Sequence, residues 1–139
     1  MNEFDLAIAD YSKALEIDSG QPDPYNHRGV AEMAKGDLNA AIRDFSEAIK
    51  LKPAYSLAYY NRARALIIQG NAAAALTDLN TSIGIDPSFA KAYMIRELVR
   101  LAGASREQAS TDFETALKLD PSLRESLLKC LARICRTEP

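Results

Sequence analysis

Residues 25–53, YNHRGVAEMAKGDLNAAIRDFSEAIKLKP, form a unit that recurs along the chain in altered form. When the 139-residue sequence is shifted against itself by 34 residues, like residues align at many positions. Three such positions hold an aromatic residue (Tyr25, Tyr59, Tyr93), an alanine (Ala7, Ala41, Ala75) and a closing proline (Pro53, Pro87, Pro121). A period of this length is typical of helical solenoids, because one unit cannot bury its apolar face alone and must stack on a neighbour.

The spacing inside the unit resembles the tetratricopeptide repeat, whose pattern contains an aromatic residue, a Leu-Gly pair, Ala-x3-Phe and a closing proline. The quoted unit places Tyr25, Gly29, Ala41, Phe45 and Pro53 at the corresponding positions. The resemblance implies an all-α fold, a right-handed superhelical solenoid in which each repeat is an antiparallel pair of helices, A and B. We expect one domain over residues 1–139, made of a half repeat (1–21), three repeats (22–55, 56–89, 90–123) and a terminal helix (124–136).

Turn-forming residues predict where the helices begin and end. We expect helices over 3–17, up to 35, and over 38–51, 56–69, 72–85, 90–102 and 106–119, with a last helix ending near 136. Gly36 permits a left-handed stop, and Asp37 is suited to cap the following helix. Two further sequences have the spacing of a capping box, Ser105 with Gln108 and Ser122 with Glu125.

The two ends of the chain carry single helices without the second member of a pair. Residues 3–17 correspond to a helix B and carry the apolar stripe Phe4, Ile8, Tyr11 and Leu15. Either a longer parent protein supplies the missing helix A, or a second copy covers the stripe in a homodimer. The terminal helix corresponds to a helix A and caps the array with a polar face bearing Arg124, Lys129, Arg133 and Arg136.

Two charged positions recur with the same period. Arginine occupies the seventh repeat position, where the family usually has leucine, and aspartate occupies the twenty-third: Arg28, Arg62, Arg96; Asp10, Asp44, Asp78, Asp112. A charge that returns in each repeat meets the same environment each time, and a partly buried guanidinium requires a carboxylate. We therefore predict Arg–Asp pairs between helices A and B, with a structural role.

Composition narrows the classes of function. The net charge is −2 with both signs interspersed, so we expect no nucleic-acid partner, and no apolar run is long enough for membrane insertion. Cys130 and Cys135 lie five residues apart on a predicted helix, which suits reduced thiols and a cytoplasmic location. The single histidine, His27, has no catalytic companion at a suggestive spacing, and no glycine-rich phosphate loop is present. We expect no enzyme activity, no cofactor and no metal.

The resemblance also implies a binding surface, because A helices line the concave groove in such repeats. The expected groove residues are Asn26, His27, Val30, Met33, Tyr60, Asn61, Arg64, Ile67, Lys91, Met94, Ile95, Leu98, Leu101 and Leu128. The N-terminal part is polar and suits hydrogen bonds to a peptide, whereas the C-terminal part is apolar. An exposed apolar surface of this kind usually marks a contact site, although the terminal helix can instead bury it as core.

The predicted function is a non-catalytic module that binds a peptide or helical segment of a partner protein. A subclass of the family clamps the acidic tail of heat-shock chaperones with five polar residues, and the corresponding positions here hold Asn26, Val30, Asn61, Lys91 and Ile95. Only Asn61 and Lys91 agree, so we do not expect that ligand. The alternatives are self-assembly through residues 3–17 and an adaptor segment of a larger protein.

Overall fold

The computed structural model describes residues 2–103 and 111–136. Within these ranges the chain forms α-helices joined by short turns, with no β-strand. The helices are α1 (Glu3–Ile17), α2 (Pro22–Lys35), α3 (Leu38–Leu51), α4 (Ser56–Ile68), α5 (Ala72–Ile85), α6 (Ala90–Ala102), α7 (Thr111–Leu119) and α8 (Arg124–Arg136). The all-α fold class is confirmed, and the predicted pairs fall within the predicted repeats. The capping box predicted at Ser105 and Gln108 lies outside the described residues.

Two tight turns reverse the chain inside the repeats. Gly36 has a φ of +89° and Gly70 a φ of +86°, a left-handed conformation that favours glycine. The next residue in each case caps the following helix: Asp37 accepts a hydrogen bond from the Ala40 amide (3.0 Å), and Asn71 accepts one from the Ala74 amide (3.2 Å). The left-handed stop and the Asp37 cap were therefore predicted correctly.

The terminal helix begins differently from the prediction. A 3₁₀ turn, Pro121–Leu123, precedes α8, and Asp120 caps that turn by accepting a hydrogen bond from the Ser122 amide (3.0 Å). The Ser122 hydroxyl also donates to Asp120 (2.6 Å). The cap predicted at Ser122 and Glu125 is therefore wrong, because the serine lies inside the turn and its hydroxyl is used by the preceding aspartate.

The chain folds as two compact units, Met1–Asp78 and Leu79–Pro139, so the boundary falls inside α5. A single domain over the whole chain stays a prediction. In the first unit, Lys35 at the end of α2 pairs with Asp5 at the beginning of α1, which makes these helices antiparallel. The Tyr55 hydroxyl, just before α4, donates to Asp23 at the start of α2 (2.7 Å), and Asn61 of α4 donates to Asn26 of α2 (3.0 Å), so α4 lies beside α2 and runs in the same direction.

Small residues allow the helices of the first unit to approach closely. Ala41, Phe45 and Ala65 have no exposed surface, and Met33, Leu38 and Ile42 pack against them. Gly29 lies directly against the Phe45 ring, since a β-carbon at that position would be 2.8 Å from Phe45 Cε1. The absence of a side chain at Gly29 therefore makes room for the largest side chain of this core.

The second unit has its own core, in which α8 takes part. Five buried residues form its centre, and half-buried side chains such as Tyr93 and Phe113 pack around them: Ala90, Met94, Ala116, Leu123 and Leu127. The buried leucines lie at the start of α8 and in the turn before it, whereas Arg124, Lys129 and Arg133 are exposed. The predicted polar outer face of the cap is confirmed for these three residues; the side chain of Arg136 lies outside the described residues.

Candidate functional site

Three arginine–aspartate pairs hold the A helices in place, as predicted. The Nε and Nη2 atoms of each arginine donate to the two carboxylate oxygens of the aspartate sixteen residues later, at distances from 2.6 to 2.8 Å. The pairs are Arg28–Asp44, Arg62–Asp78 and Arg96–Asp112. In each pair the aspartate side chain is nearly buried and the arginine is partly exposed. Such a two-pronged contact fixes both position and orientation.

Each arginine also reaches the helix B of the preceding repeat. Nη1 donates to Ser12 in the first case (3.1 Å), to Ser46 in the second (3.0 Å) and to Asn80 in the third (2.8 Å), all sixteen residues before the arginine. The guanidinium groups lie 5.5 to 5.7 Å from the ring centres of Tyr25, Tyr59 and Tyr93. One arginine per repeat therefore joins three helices, so this arginine position has a structural role.

The A helices of the first unit present an exposed surface formed by three apolar residues and two basic ones. On α4, Leu57 is 40% exposed and Ile68 is 64% exposed, with the exposed Arg64 between them. On α2, His27 and Val30 are exposed, the latter at 36%. We call this surface the α2–α4 face; it consists of His27, Val30, Leu57, Arg64 and Ile68.

Arg64 is the charged centre of the α2–α4 face. Its guanidinium lies 5.8 Å from the ring centre of Tyr60, and it makes no ion pair within the part of the chain that the structure describes. Burial raises the pKa of the Tyr60 phenol, while the nearby Arg64 cation opposes this shift. The Tyr60 ring is 8% exposed and lies against one face of the Arg64 guanidinium. The N–H groups of the guanidinium can therefore still bind an external carboxylate.

Asn26 and Asn61 do not lie on an open surface. Asn26 is 1% exposed and Asn61 is 4% exposed, and the two side-chain amides bond to one another between α2 and α4. The prediction that both stand ready to bond a peptide is therefore wrong for this conformation. Since neighbouring A helices meet at this position, the amides join the helices. His27 is exposed and stacks on Tyr11, with ring centres 5.5 Å apart.

Two other predicted residues of the first unit are half-buried. Met33 packs against the core around Phe45, and Ile67 is also only partly exposed. The exposed residue is instead Ile68, which was not among the predicted groove residues. Leu57, Arg64 and Ile68 are seven and four residues apart, which places them on one side of a helix, so helical phase could have identified Ile68.

The predicted apolar groove of the second unit is mostly core. Met94 is 7% exposed and belongs to the buried cluster, and Ile95 and Leu98 pack against it. The prediction of an exposed apolar surface at these residues is wrong, because the terminal helix contributes Leu127 to the same cluster. Leu101 is half-buried, while Lys91 and Leu128 are exposed, the latter at 59%.

A family model described as "Tetratricopeptide repeat" matches residues 27–88, which include the α2–α4 face. Residues 27–88 belong to the tetratricopeptide-repeat family. A crystal structure of MamA is 25% identical over 85% of this chain and 69% of that chain, with a TM-score of 0.77. The first such domain of Spaghetti (RPAP3), bound to the HSP90 peptide SRMEEVD, is 27% identical over 86% and 94% of the two chains (TM-score 0.75). The Arabidopsis OM64 domain is 27% identical over 84% and 96% (TM-score 0.74). No curated protein sequence matches the chain.

Two carboxylates of the A helices, the half-buried Glu32 and the buried Glu97, have raised pKa values. Desolvation raises the pKa of Glu32 to about 7, and the neighbouring Asp44 adds to the shift. Glu97 is fully buried, and neither of its carboxylate oxygens has a hydrogen-bond partner among the described residues, although Arg100 Nη1 lies 3.9 Å from Oε2. Its pKa is raised by burial and by Asp112, although Arg100 and Arg96 oppose the shift. Neither group lies on the α2–α4 face.

The described residues contain no group of three or more His, Cys, Asp or Glu side chains that could hold a metal ion. In the same part of the chain, every helix is too short or too polar to cross a bilayer. The absence of a catalytic role, of a nucleic-acid partner and of a cofactor stays a prediction, as does the cytoplasmic location.

Proposed function

We propose that this tetratricopeptide-repeat protein is an interaction module that binds a segment of a partner protein on its α2–α4 face. The observation that carries the proposal is Arg64, an exposed cation that has no ion pair among the described residues and lies between two exposed apolar side chains, Leu57 and Ile68. Exposed apolar residues grouped around a polar anchor are typical of contact sites.

The chemistry of the face defines the kind of segment it suits. A carboxylate of the partner can form a bidentate pair with Arg64, supported by the Tyr60 ring beneath it. Apolar side chains on either side of that carboxylate can cover Val30, Leu57 and Ile68. His27 supplies a further polar contact at the edge. The expected ligand is therefore a short amphipathic segment, extended or helical, with one acidic residue between apolar ones.

The scaffold supports this proposal because it holds the face rigidly before binding. Arg28 and Arg62 each tie an A helix to two B helices, and the Asn26–Asn61 bond sets the spacing of α2 and α4. Preorganisation of this kind lowers the ordering cost of association. A related domain binds the acidic peptide SRMEEVD, which supports peptide binding in general. The chaperone-tail positions agree here only at Asn61 and Lys91. We therefore expect SRMEEVD to bind this chain with a Kd weaker than micromolar.

Selection from a peptide display library on the purified chain tests the proposal. The selected peptides are then titrated by fluorescence anisotropy into the wild type, Arg64→Glu and Lys50→Glu. Lys50 is a matched control because it is an exposed cation of α3, away from the α2–α4 face. We expect Arg64→Glu to weaken binding at least about tenfold, as loss and reversal of a charged contact requires, and Lys50→Glu to leave it unchanged. Equal affinity for wild type and Arg64→Glu would contradict the proposal.

Self-assembly through residues 3–17 is a second candidate function. Phe4 is 44% exposed and Leu6 is 49% exposed, whereas Leu15 of the same helix is buried. The exposed apolar side chains of α1 therefore lie at its two ends, Phe4 and Leu6 in the first turns and Ile17, which is 88% exposed, in the last. Light scattering over a range of concentrations distinguishes the candidates: a dimer in the wild type that Phe4→Asp converts to a monomer supports assembly, and a monomer at all concentrations excludes it.

A further inference from the structure

A cleft of about 410 Å³ lies in the first unit, away from the α2–α4 face. Three helices contribute to it through residues one turn apart: Ile42 and Ser46 of α3, Arg62 and Leu66 of α4, and Ala74 and Thr77 of α5. None of the five residues of the α2–α4 face is among its lining residues. A volume of this size falls within the range of small-ligand pockets, which runs from about 300 to 1,000 Å³.

The cleft exists because the third repeat has small or apolar residues where the second has long ones. Leu66 corresponds to Glu32, and Thr77 corresponds to Arg43, 34 residues earlier in each case. In the second repeat the glutamate and the arginine lie close enough to interact electrostatically. The third repeat has a short threonine in place of the arginine and alanines at 72–75, so the same scaffold leaves space.

The polar part of the cleft is the Arg62–Asp78 ion pair, which has no net charge and whose guanidinium can donate further hydrogen bonds. Arg62 uses three of its N–H groups, two on Asp78 and one on Ser46, and these are all its hydrogen bonds within the described residues. A guanidinium has five N–H groups, so two remain for a ligand. The charge of Asp78 balances that of Arg62, which disfavours an anion. Ile42, Leu66 and Ala74 give the walls an apolar character.

We propose that this cleft, the α3–α5 cleft, is a second binding site, and that it takes an apolar side chain of a partner protein together with that residue's main-chain carbonyl. The side chain packs between Ile42, Leu66 and Ala74, and the carbonyl accepts from the remaining N–H groups of Arg62. A neutral acceptor satisfies these donors without facing the Asp78 carboxylate. This site goes beyond the α2–α4 face and does not depend on it.

The test uses N-acetylphenylalaninamide, a neutral aromatic amide, as the probe in a titration of the ¹⁵N-labelled full chain by NMR. We expect concentration-dependent shifts at the amides of Ile42, Leu66 and Thr77 and at the Nε–H of Arg62. N-acetylglycinamide lacks the side chain and should cause none of these shifts. Phenylpropionate carries the same ring with a negative charge and should bind at least about fivefold more weakly.

Three variants locate the binding site. Thr77→Arg introduces the arginine that the second repeat has at this position, Arg43, and should abolish the shifts. The control Ala73→Arg places the same side chain on α5 at a residue that does not line the cleft, and should preserve the shifts. Ala74→Leu narrows the cleft with an apolar side chain, which keeps the test decisive if Thr77→Arg reduces stability. Arg64→Glu should leave probe binding unchanged, so failure of either proposed site is recognised separately. Absence of shifts in the wild type, or unchanged shifts in both Thr77→Arg and Ala74→Leu, would overturn the proposal.

Discussion

Replacing Arg62 by methionine tests the role assigned to the recurring arginine–aspartate pairs. Methionine retains an unbranched apolar chain up to about the position of Nε, so the packing of the aliphatic part is kept while the charge and all three hydrogen bonds are lost. The Asp78 side chain, which is 7% exposed, is then left without its cation, and Ser46 loses a donor. The guanidinium also leaves the Tyr59 ring, over which it lies at 5.6 Å.

The expected loss of unfolding free energy is about 3 kcal/mol. Breaking a fully buried pair costs roughly 3–5 kcal/mol, chiefly because a desolvated charge is left alone. The lower end applies because the Arg62 side chain is 23% exposed and retains some contact with water in the native state. Hydrogen bonding to Asp78 raises the pKa of Arg62. A raised arginine pKa contributes stability at every pH below the ordinary arginine pKa, so the loss is the same across the neutral range.

Urea unfolding followed by far-UV circular dichroism measures this loss. The double variant Arg62→Met, Asp78→Leu removes both charges and should regain about 2 kcal/mol of this loss. Lys50→Met is the control: Lys50 is 75% exposed and 3.5 Å from Glu47, so its loss should stay below about 0.5 kcal/mol. An Arg62→Met loss below about 0.5 kcal/mol, or a double variant that is no better than the single one, would refute the structural role.

Three further substitutions address buried or half-buried positions, each measured by urea unfolding. The pKa of Glu32 is raised to about 7, so the native state keeps a proton that the unfolded chain loses, and stability falls as pH rises from 4.5 to 7; Glu32→Gln should remove this fall and add about 1 kcal/mol at pH 8. A β-carbon at residue 29 would lie 2.8 to 3.1 Å from the Phe45 ring, so Gly29→Ala should cost about 1–2 kcal/mol, and about half of that in a Phe45→Leu background; an equal cost in both would exclude the clash. Glu97→Met should raise stability by about 1–2 kcal/mol at pH 8, because neither buried carboxylate oxygen has a hydrogen-bond partner among the described residues and the ion pair with Arg100 is long (3.9 Å); an unchanged urea midpoint would contradict this expectation.

The helix limits and the arginine–aspartate pairs could be predicted from sequence because their causes are local or periodic. Gly36 and Asp37 act within one turn of the helices that they end and begin. Arg62 and Asp78 belong to positions that recur every 34 residues, and a recurring charge requires a recurring partner. Neither inference needs the distance between repeats.

The binding surface could be predicted only in part, because it depends on how far apart neighbouring helices lie. The A helices of the first unit approach until the amides of Asn26 and Asn61 meet, and this removes both residues from the surface. In the second unit, the burial of Met94 requires the terminal helix to fold back onto the core, which no local pattern indicates. Arg64 was selected correctly as an exposed side chain, and its role in binding stays a proposal.

The third contact of each arginine, made through Nη1 to a helix B of the preceding repeat, bears on how such a chain can lengthen. Arg28, Arg62 and Arg96 find this acceptor sixteen residues upstream and their carboxylate sixteen residues downstream. A duplicated 34-residue block that is inserted beside the original therefore carries an arginine, a carboxylate and a hydrogen-bond acceptor that match those of its new neighbours. Gene duplication can therefore extend an array of this kind while the contacts between neighbouring repeats stay the same. Selection then needs to change only the exposed residues.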